Sequence, residues 1–179
     1  MLPPGHIAAG YLTAEVLLHT IHPALSQNQQ TQLLWWGMFF GFAPDLDYFY
    51  VFFRQRAFTV KDSNKANHRK FLTHAPVLWL IAGLVIYFLS ADVYYKTLGL
   101  LLWLASWSHF ILDSIEDGVM WLWPLSSKQY AFRFPEDLVI KEDSFFRYWW
   151  KFLVSYSKQR LTFYLEIFII LTALIIYFK

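Results

Sequence analysis

Apolar positions in this chain come in long runs divided by two strongly polar stretches, and the runs have the length of helices rather than strands. Residues 6–21 are apolar apart from Glu15, His19 and a few hydroxyls, and the run stops at His22-Pro23, where proline disfavours helix in the residue before it. At about 1.5 Å per residue such a helix reaches about 24 Å, short of a hydrocarbon core of roughly 30 Å, so it crosses with local thinning or sits partly in the interface. Residues 26–32, polar but uncharged, read as a loop. A second helix is expected over 33–53, broken near Pro44, which removes a helical donor just before Asp45 and Asp47. The chain then turns polar over 54–70. Apolar helices follow over 73–91 and 97–115, a second polar region over 114–146, and a last helix over 147–178, whose segment 161–178 is apolar except for Glu166. The pattern predicts one all-α domain, 1–179, built as an integral membrane bundle of about five helices.

Composition supports a bilayer as the solvent. Apolar residues make up 57% and charged residues 16%, against roughly 45–50% and about 25% in soluble domains. A net charge of +2 is too small to suggest nucleic acid as a partner. The chain has no cysteine, which excludes disulfides, thiolate metal sites and cysteine nucleophiles together. Met1-Leu2-Pro3-Pro4-Gly5-His6 lacks the basic start and cleavage site of a signal peptide, so this segment is expected to be retained.

If successive helices alternate direction, the start of the first, the end of the second, the start of the third and the end of the fourth share one membrane face. His6, Asp45, Asp47, His68, His74, His109 and Asp113 occupy those positions. Ionisable groups at such depth usually face a protein interior or a wet cavity and serve function. Lysine and arginine give an independent orientation, because they mark cytoplasmic loops. Thirteen of the fifteen lie in 54–70 or 114–160, which places the cluster at the cytoplasmic side.

Imidazole and carboxylate donors without sulfur suit zinc first, with manganese or iron as alternatives. His109 and Asp113, four apart on a helix, share one face and can hold a metal, although in an isolated His-x-x-x-Asp the carboxylate more often just orients and stabilises the imidazole. Seven candidates exceed one tetrahedral ion, so one to three ions are expected, and two metals sharing a carboxylate would clamp a phosphoester. Arg69 offers a planar fork for phosphate, and Glu116 or Asp117 could act as a supporting partner or general base. No glycine-rich phosphate loop, nucleophile elbow or His-Glu-x-x-His helix is present.

In order along the chain, His6 in a small-residue helix, Gly41-x-x-Pro44-Asp45-x-Asp47, His68-Arg69-x-x-x-Thr73-His74, Ser108-His109-x-x-x-Asp113, Gly118 and Trp123-Pro124 resemble the YdjM-like family, described as LexA-binding, inner-membrane-associated predicted metal-dependent hydrolases. The resemblance runs from His6 to about Leu125 and implies a metal-dependent hydrolase in the bacterial inner membrane. The family's usual small residues around Thr-His are here Leu72 and Ala75. More distantly, the ligand order is similar to zinc-dependent phospholipase C.

The expected function is therefore metal-assisted hydrolysis of a phosphoester in a lipid or lipid-linked substrate, with membrane lipid as surroundings and the site facing the cytoplasm. The alternative is a non-catalytic scaffold or regulator with a structural metal or a partner-binding polar cluster. A transporter would want polar groups near the bilayer centre and on both faces, which Glu15 and Glu166 alone do not supply.

Overall fold

The computed structural model describes residues 1–48, 50, 68–134 and 144–179, with the side chains of His68, Phe145 and Gln159 outside that description. The described residues include six α-helices and a further helical stretch at 46–48 beyond the turn at Pro44, and contain no strand beyond a single antiparallel bridge between Val119 and Tyr130. The six are α1 (Pro3–Ile21), α2 (Gln27–Phe42), α3 (Pro76–Leu89), α4 (Val93–Glu116), α5 (Phe145–Gln159) and α6 (Leu161–Tyr177). The all-helical class agrees with the pattern; the number and several boundaries differ, each for a local reason.

Helix α1 starts three residues early because Pro3 and Pro4 sit in its first turn, where a missing N–H costs nothing. It ends on His22, in the left-handed region at φ 41°, whose N–H closes back on the Leu18 carbonyl. Helix α2 begins at Gln27, inside the stretch expected to be a loop. Ser26 and Gln29 form a capping box there, the Ser26 hydroxyl accepting from the Gln29 N–H and the Gln29 side chain from the Ser26 N–H. As expected, Pro44 ends α2: Ala43–Asp45 tighten into a 3-10 turn. Two further 3-10 turns, His68–Lys70 and Leu72–His74, lead into α3.

The helix expected over 147–178 is two helices, α5 and α6, meeting at Arg160 at an angle of 95°. No proline or glycine lies at this elbow. Instead the first amides of α6 turn to a side chain from another helix: Leu161 N and Thr162 N donate to Glu116 of α4, at 3.0 and 3.1 Å, and the Thr162 hydroxyl donates at 2.7 Å. Glu166 of α6 in turn accepts from Leu2 N and Gly5 N at the start of α1, and from the Tyr156 hydroxyl. Two helix starts without caps of their own are thus satisfied by buried carboxylates of their neighbours.

Helices α1, α2 and α4 pack around Ala14, Leu17, Leu33, Phe40, Leu101 and Ala105, with α3 against α4 and α6 against α1. Close approach rests on glycine. A β-carbon on Gly10 would strike the Gly37 carbonyl, and one on Gly41 would strike the His6 carbonyl, so α1 and α2 touch backbone to backbone. Gly83 and Gly99 do the same for α3 and α4.

Among the described residues α4 is the one helix both long and apolar enough to cross a bilayer, and the bent pair α5–α6 makes a second if it counts as one span. Phe168 and Ile175 of α6 are 66% and 69% exposed, an outward apolar surface that water would penalise and lipid would not.

Candidate metal centre

Four segments deliver the site. The α2 terminus, turned by Pro44, carries Asp45 and then Asp47; the 3-10 turn before α3 carries His74; α4 carries His109 and Asp113; and the first turns of α1 carry His6. All six side chains are buried. The sequence pattern puts them at one end of the bundle, and the fold brings them into contact.

Asp45, His74, His109 and Asp113 each offer an atom within 4.8 Å of all the others, so this buried cluster could hold a metal ion. The Nε2 atoms of three imidazoles converge on the two carboxylates. His74 Nε2 lies 3.4 Å from Asp45 Oδ1, and His109 Nε2 lies 3.7 Å from Asp45 Oδ1 and 3.5 Å from Asp113 Oδ2. His6 Nε2 lies 3.2 Å from Asp113 Oδ1 and 4.0 Å from Asp45 Oδ2, and its ring stacks on His109 with centroids 3.7 Å apart. Donors about 2.0–2.2 Å from a tetrahedral zinc are separated by about 3.4 Å, close to these spacings.

Two observations test the fit. The Nε2 atoms of His109 and His6 are buried without a hydrogen bond of acceptable geometry, a costly arrangement unless something else takes the lone pair. The other nitrogen of His109 is fixed: Nδ1 lies 2.9 Å from the Gly41 carbonyl, which can only accept, so Nδ1 carries the proton and Nε2 faces the cluster with its lone pair.

Asp47 does a different job from Asp45. Its Oδ2 lies 3.0 Å from His74 Nδ1 and also accepts the Thr73 hydroxyl, so it orients His74 from behind while Asp45 faces the Nε2 side. Burial alone would lower the His74 pKa, but hydrogen bonds and charge from Asp45 and Asp47 outweigh it and raise it to about 9.

Arg69 stands on the rim, its side chain 22% exposed. Its Nε lies 3.2 Å from Asp113 Oδ2 and its Nη2 lies 3.3 Å from Asp117 Oδ2. Burial works against the charged guanidinium, yet Asp117 and Asp113 hold its pKa above the usual arginine value. Asp117 also accepts from the Met1 amine at 2.9 Å and lies 3.6 Å from Arg160 Nη1. Burial would raise its pKa, and Arg69 with that amine pulls it below the ordinary carboxylate value. The Met1 amine further donates to Asp113 Oδ1 at 3.2 Å.

The remaining candidates lie elsewhere. Both oxygens of Glu116 are taken up by the α6 start, which makes it a helix cap, not a group turned to the cluster. His68 lies in a described turn, but its side chain is outside the described residues, as are Arg54, Arg56, Lys61 and Lys65. Among the described residues, the Gly41 carbonyl and the Met1 amine are partners of the cluster that residue types do not reveal; for Gly41 the Gly-x-x-Pro-Asp spacing is the signal.

Comparison with known proteins agrees with the pattern of short motifs and extends it. The chain belongs to the YdjM inner membrane protein family, whose family model matches residues 1–179, so the tail beyond Leu125 belongs to it as well. No curated protein and no solved structure matches the chain.

Proposed function

We propose that this member of the YdjM family is a metal-dependent hydrolase of the inner membrane, acting on a phosphoester in a lipid or lipid-linked substrate. The observation that carries the proposal is the convergence of His74 and His109 with Asp45 and Asp113, from three segments, each offering an atom within 4.8 Å of the others, with His6 Nε2 beside them 3.2 Å from Asp113. Asp45, His74, His109 and Asp113 would hold the ion, zinc first on the donor set, with His6 as a fifth donor. A bound divalent ion supplies Lewis acidity, polarising a phosphoryl oxygen and acidifying water.

The chain's own residues do the rest. Gly41 and Asp47 lock two imidazoles in the orientation that presents Nε2. Arg69, at the rim, is the cation placed to meet a phosphate, and doing so means exchanging its hold on Asp113 or Asp117 for the substrate's oxygens. With Glu116 committed to α6, the proton-accepting role in this reading falls to Asp117. The lysine and arginine distribution supports a site facing the cytoplasm in a multi-pass protein.

The second reading, a structural metal in a scaffold, draws on the same rim: the Met1 amine, Arg69 and Arg160 all face Asp113 or Asp117 and close the centre as ion pairs. The deciding experiment loads detergent-purified protein with zinc or manganese, measures bound metal by ICP-MS, and assays bis(p-nitrophenyl) phosphate and mixed micelles of phospholipid. Metal-dependent turnover that Arg69→Ala lowers sharply while metal content stays constant is the expected result. Stoichiometric metal without turnover of any phosphoester would establish the scaffold instead.

A further inference from the structure

Helix α5 has three faces. Tyr148, Phe152 and Tyr156 recur every four residues and point inward: Tyr148 and Tyr156 are buried, and the rings stack at 6.5 and 5.8 Å along the helix. A second face is apolar and outward, with Phe146 82%, Trp150 70%, Leu153 44% and Val154 37% exposed. Between roughly 200° and 240° around the helix from Phe145, at about 100° per residue, Arg147, Lys151 and Lys158 form a basic edge bordering that apolar face. The helix contains no acidic residue. A soluble surface helix needs one apolar face; here the protein takes one and a second is left outward.

We propose that α5 lies in the bilayer interface, its outward apolar face in the acyl boundary and its basic edge on anionic lipid headgroups. Three features select this occupant. Aromatic bulk beside a lysine and arginine edge, on a helix whose own sequence carries no acid, is the composition of a helix lying in the plane of an anionic membrane. The 95° elbow sets α5 across the axis of α6, so if α6 runs through the membrane α5 runs along it. The chain belongs to a family of inner membrane proteins, so a bilayer is already at hand.

The elbow gives this placement a further meaning. Arg160 lies 3.6 Å from Asp117, and Leu161 and Thr162 donate to Glu116, both acids within about one turn of the candidate ligand Asp113. A helix fixed at headgroup level therefore holds the end of α4, and with it the metal centre, at the depth where headgroup phosphates lie. The surface placement itself does not depend on the hydrolase reading.

The chain has no cysteine, so single-cysteine variants of the full-length protein carry a nitroxide label without background. Trp150→Cys, Leu153→Cys, Lys151→Cys and Lys158→Cys are labelled, reconstituted in vesicles of phosphatidylcholine with or without phosphatidylglycerol, and read by power-saturation EPR. The expected result is an oxygen-to-nickel accessibility ratio several-fold higher at 150 and 153 than at 151 and 158. In the phosphatidylglycerol vesicles, replacing Arg147, Lys151 and Lys158 together by glutamine should make the labels at 150 and 153 shallower. Labels at 150 and 153 that are as accessible to nickel as those at 151 and 158 would overturn the proposal. So would immobilised labels at 150 with spin–spin broadening that grows with protein density, because they would assign the face to a second copy of the chain.

Discussion

Asp113 and Glu116 are about one helical turn apart on α4, both buried, and their surroundings have little in common. Asp113 meets imidazoles, a guanidinium and an amine, all of them side-chain or terminal groups that can be exchanged for a ligand. Glu116 meets two backbone N–H groups and a threonine hydroxyl at the start of α6, partners whose loss would unmake the elbow. Glu166 repeats the second pattern at the start of α1. Burial alone therefore does not make a carboxylate in a membrane protein a functional one. What separates the two kinds is whether the oxygens face titratable side chains or the open end of a helix.

The sharpest way to break this contrast is to remove one member of the first kind. His109→Ala or Asp113→Asn should reduce bound metal from stoichiometric to near zero by ICP-MS, with the far-UV CD spectrum kept. Next in size, Asp47→Asn leaves Asp45, His74, His109 and Asp113 in place but loosens the His74 ring, and should weaken metal affinity about 10–100-fold in a chelator competition. A smaller effect follows from pH. The His74 pKa of about 9 lies above its unfolded value of about 6.5, so its contribution to stability in the metal-free protein is complete below about pH 6.5 and lost as pH rises through about 9. The metal-free melting temperature should fall over that interval, and the metal-loaded one should hold steady, because the ion has displaced the proton. At the far end of the scale for metal, Glu116→Gln should leave affinity unchanged. It should instead cost about 1–3 kcal/mol of stability, read as a lower melting temperature, by weakening the α6 cap.

Much of the site is legible in the sequence because helix direction alone assigns its residues to one end, whatever the packing angles. The break at Pro44 is legible for the same elementary reason, the missing N–H. The division of labour between Asp45 and Asp47 is not, since it depends on whether the chain after Pro44 turns as a 3-10 or an extended segment. The polar, uncharged run from Gln27 to Gln32 looks like a loop and hides the true start of α2, although Ser26-x-x-Gln29 carries a capping signal. The apolar run from Leu161 marks where α6 begins, but nothing nearby in sequence gives the 95° turn at Arg160. The carboxylate that accepts the first amides of α6, Glu116, lies far back along the chain, where local pattern has no access. The same non-local bond explains why Glu116, read from sequence, looks available for chemistry.

The Gly41 carbonyl gives the centre a kind of inheritance insurance. The proton that decides which nitrogen of His109 faces inward is held by main chain, and no exchange of side chain at that position deletes a carbonyl. What substitution can change is the distance: any larger residue at Gly41 wedges α1 from α2, moving His6 and the acceptor apart. Tolerance of mutation here should follow the gap between two helices rather than the identity of any ligand, so the centre's quiet determinants are residues that never touch an ion.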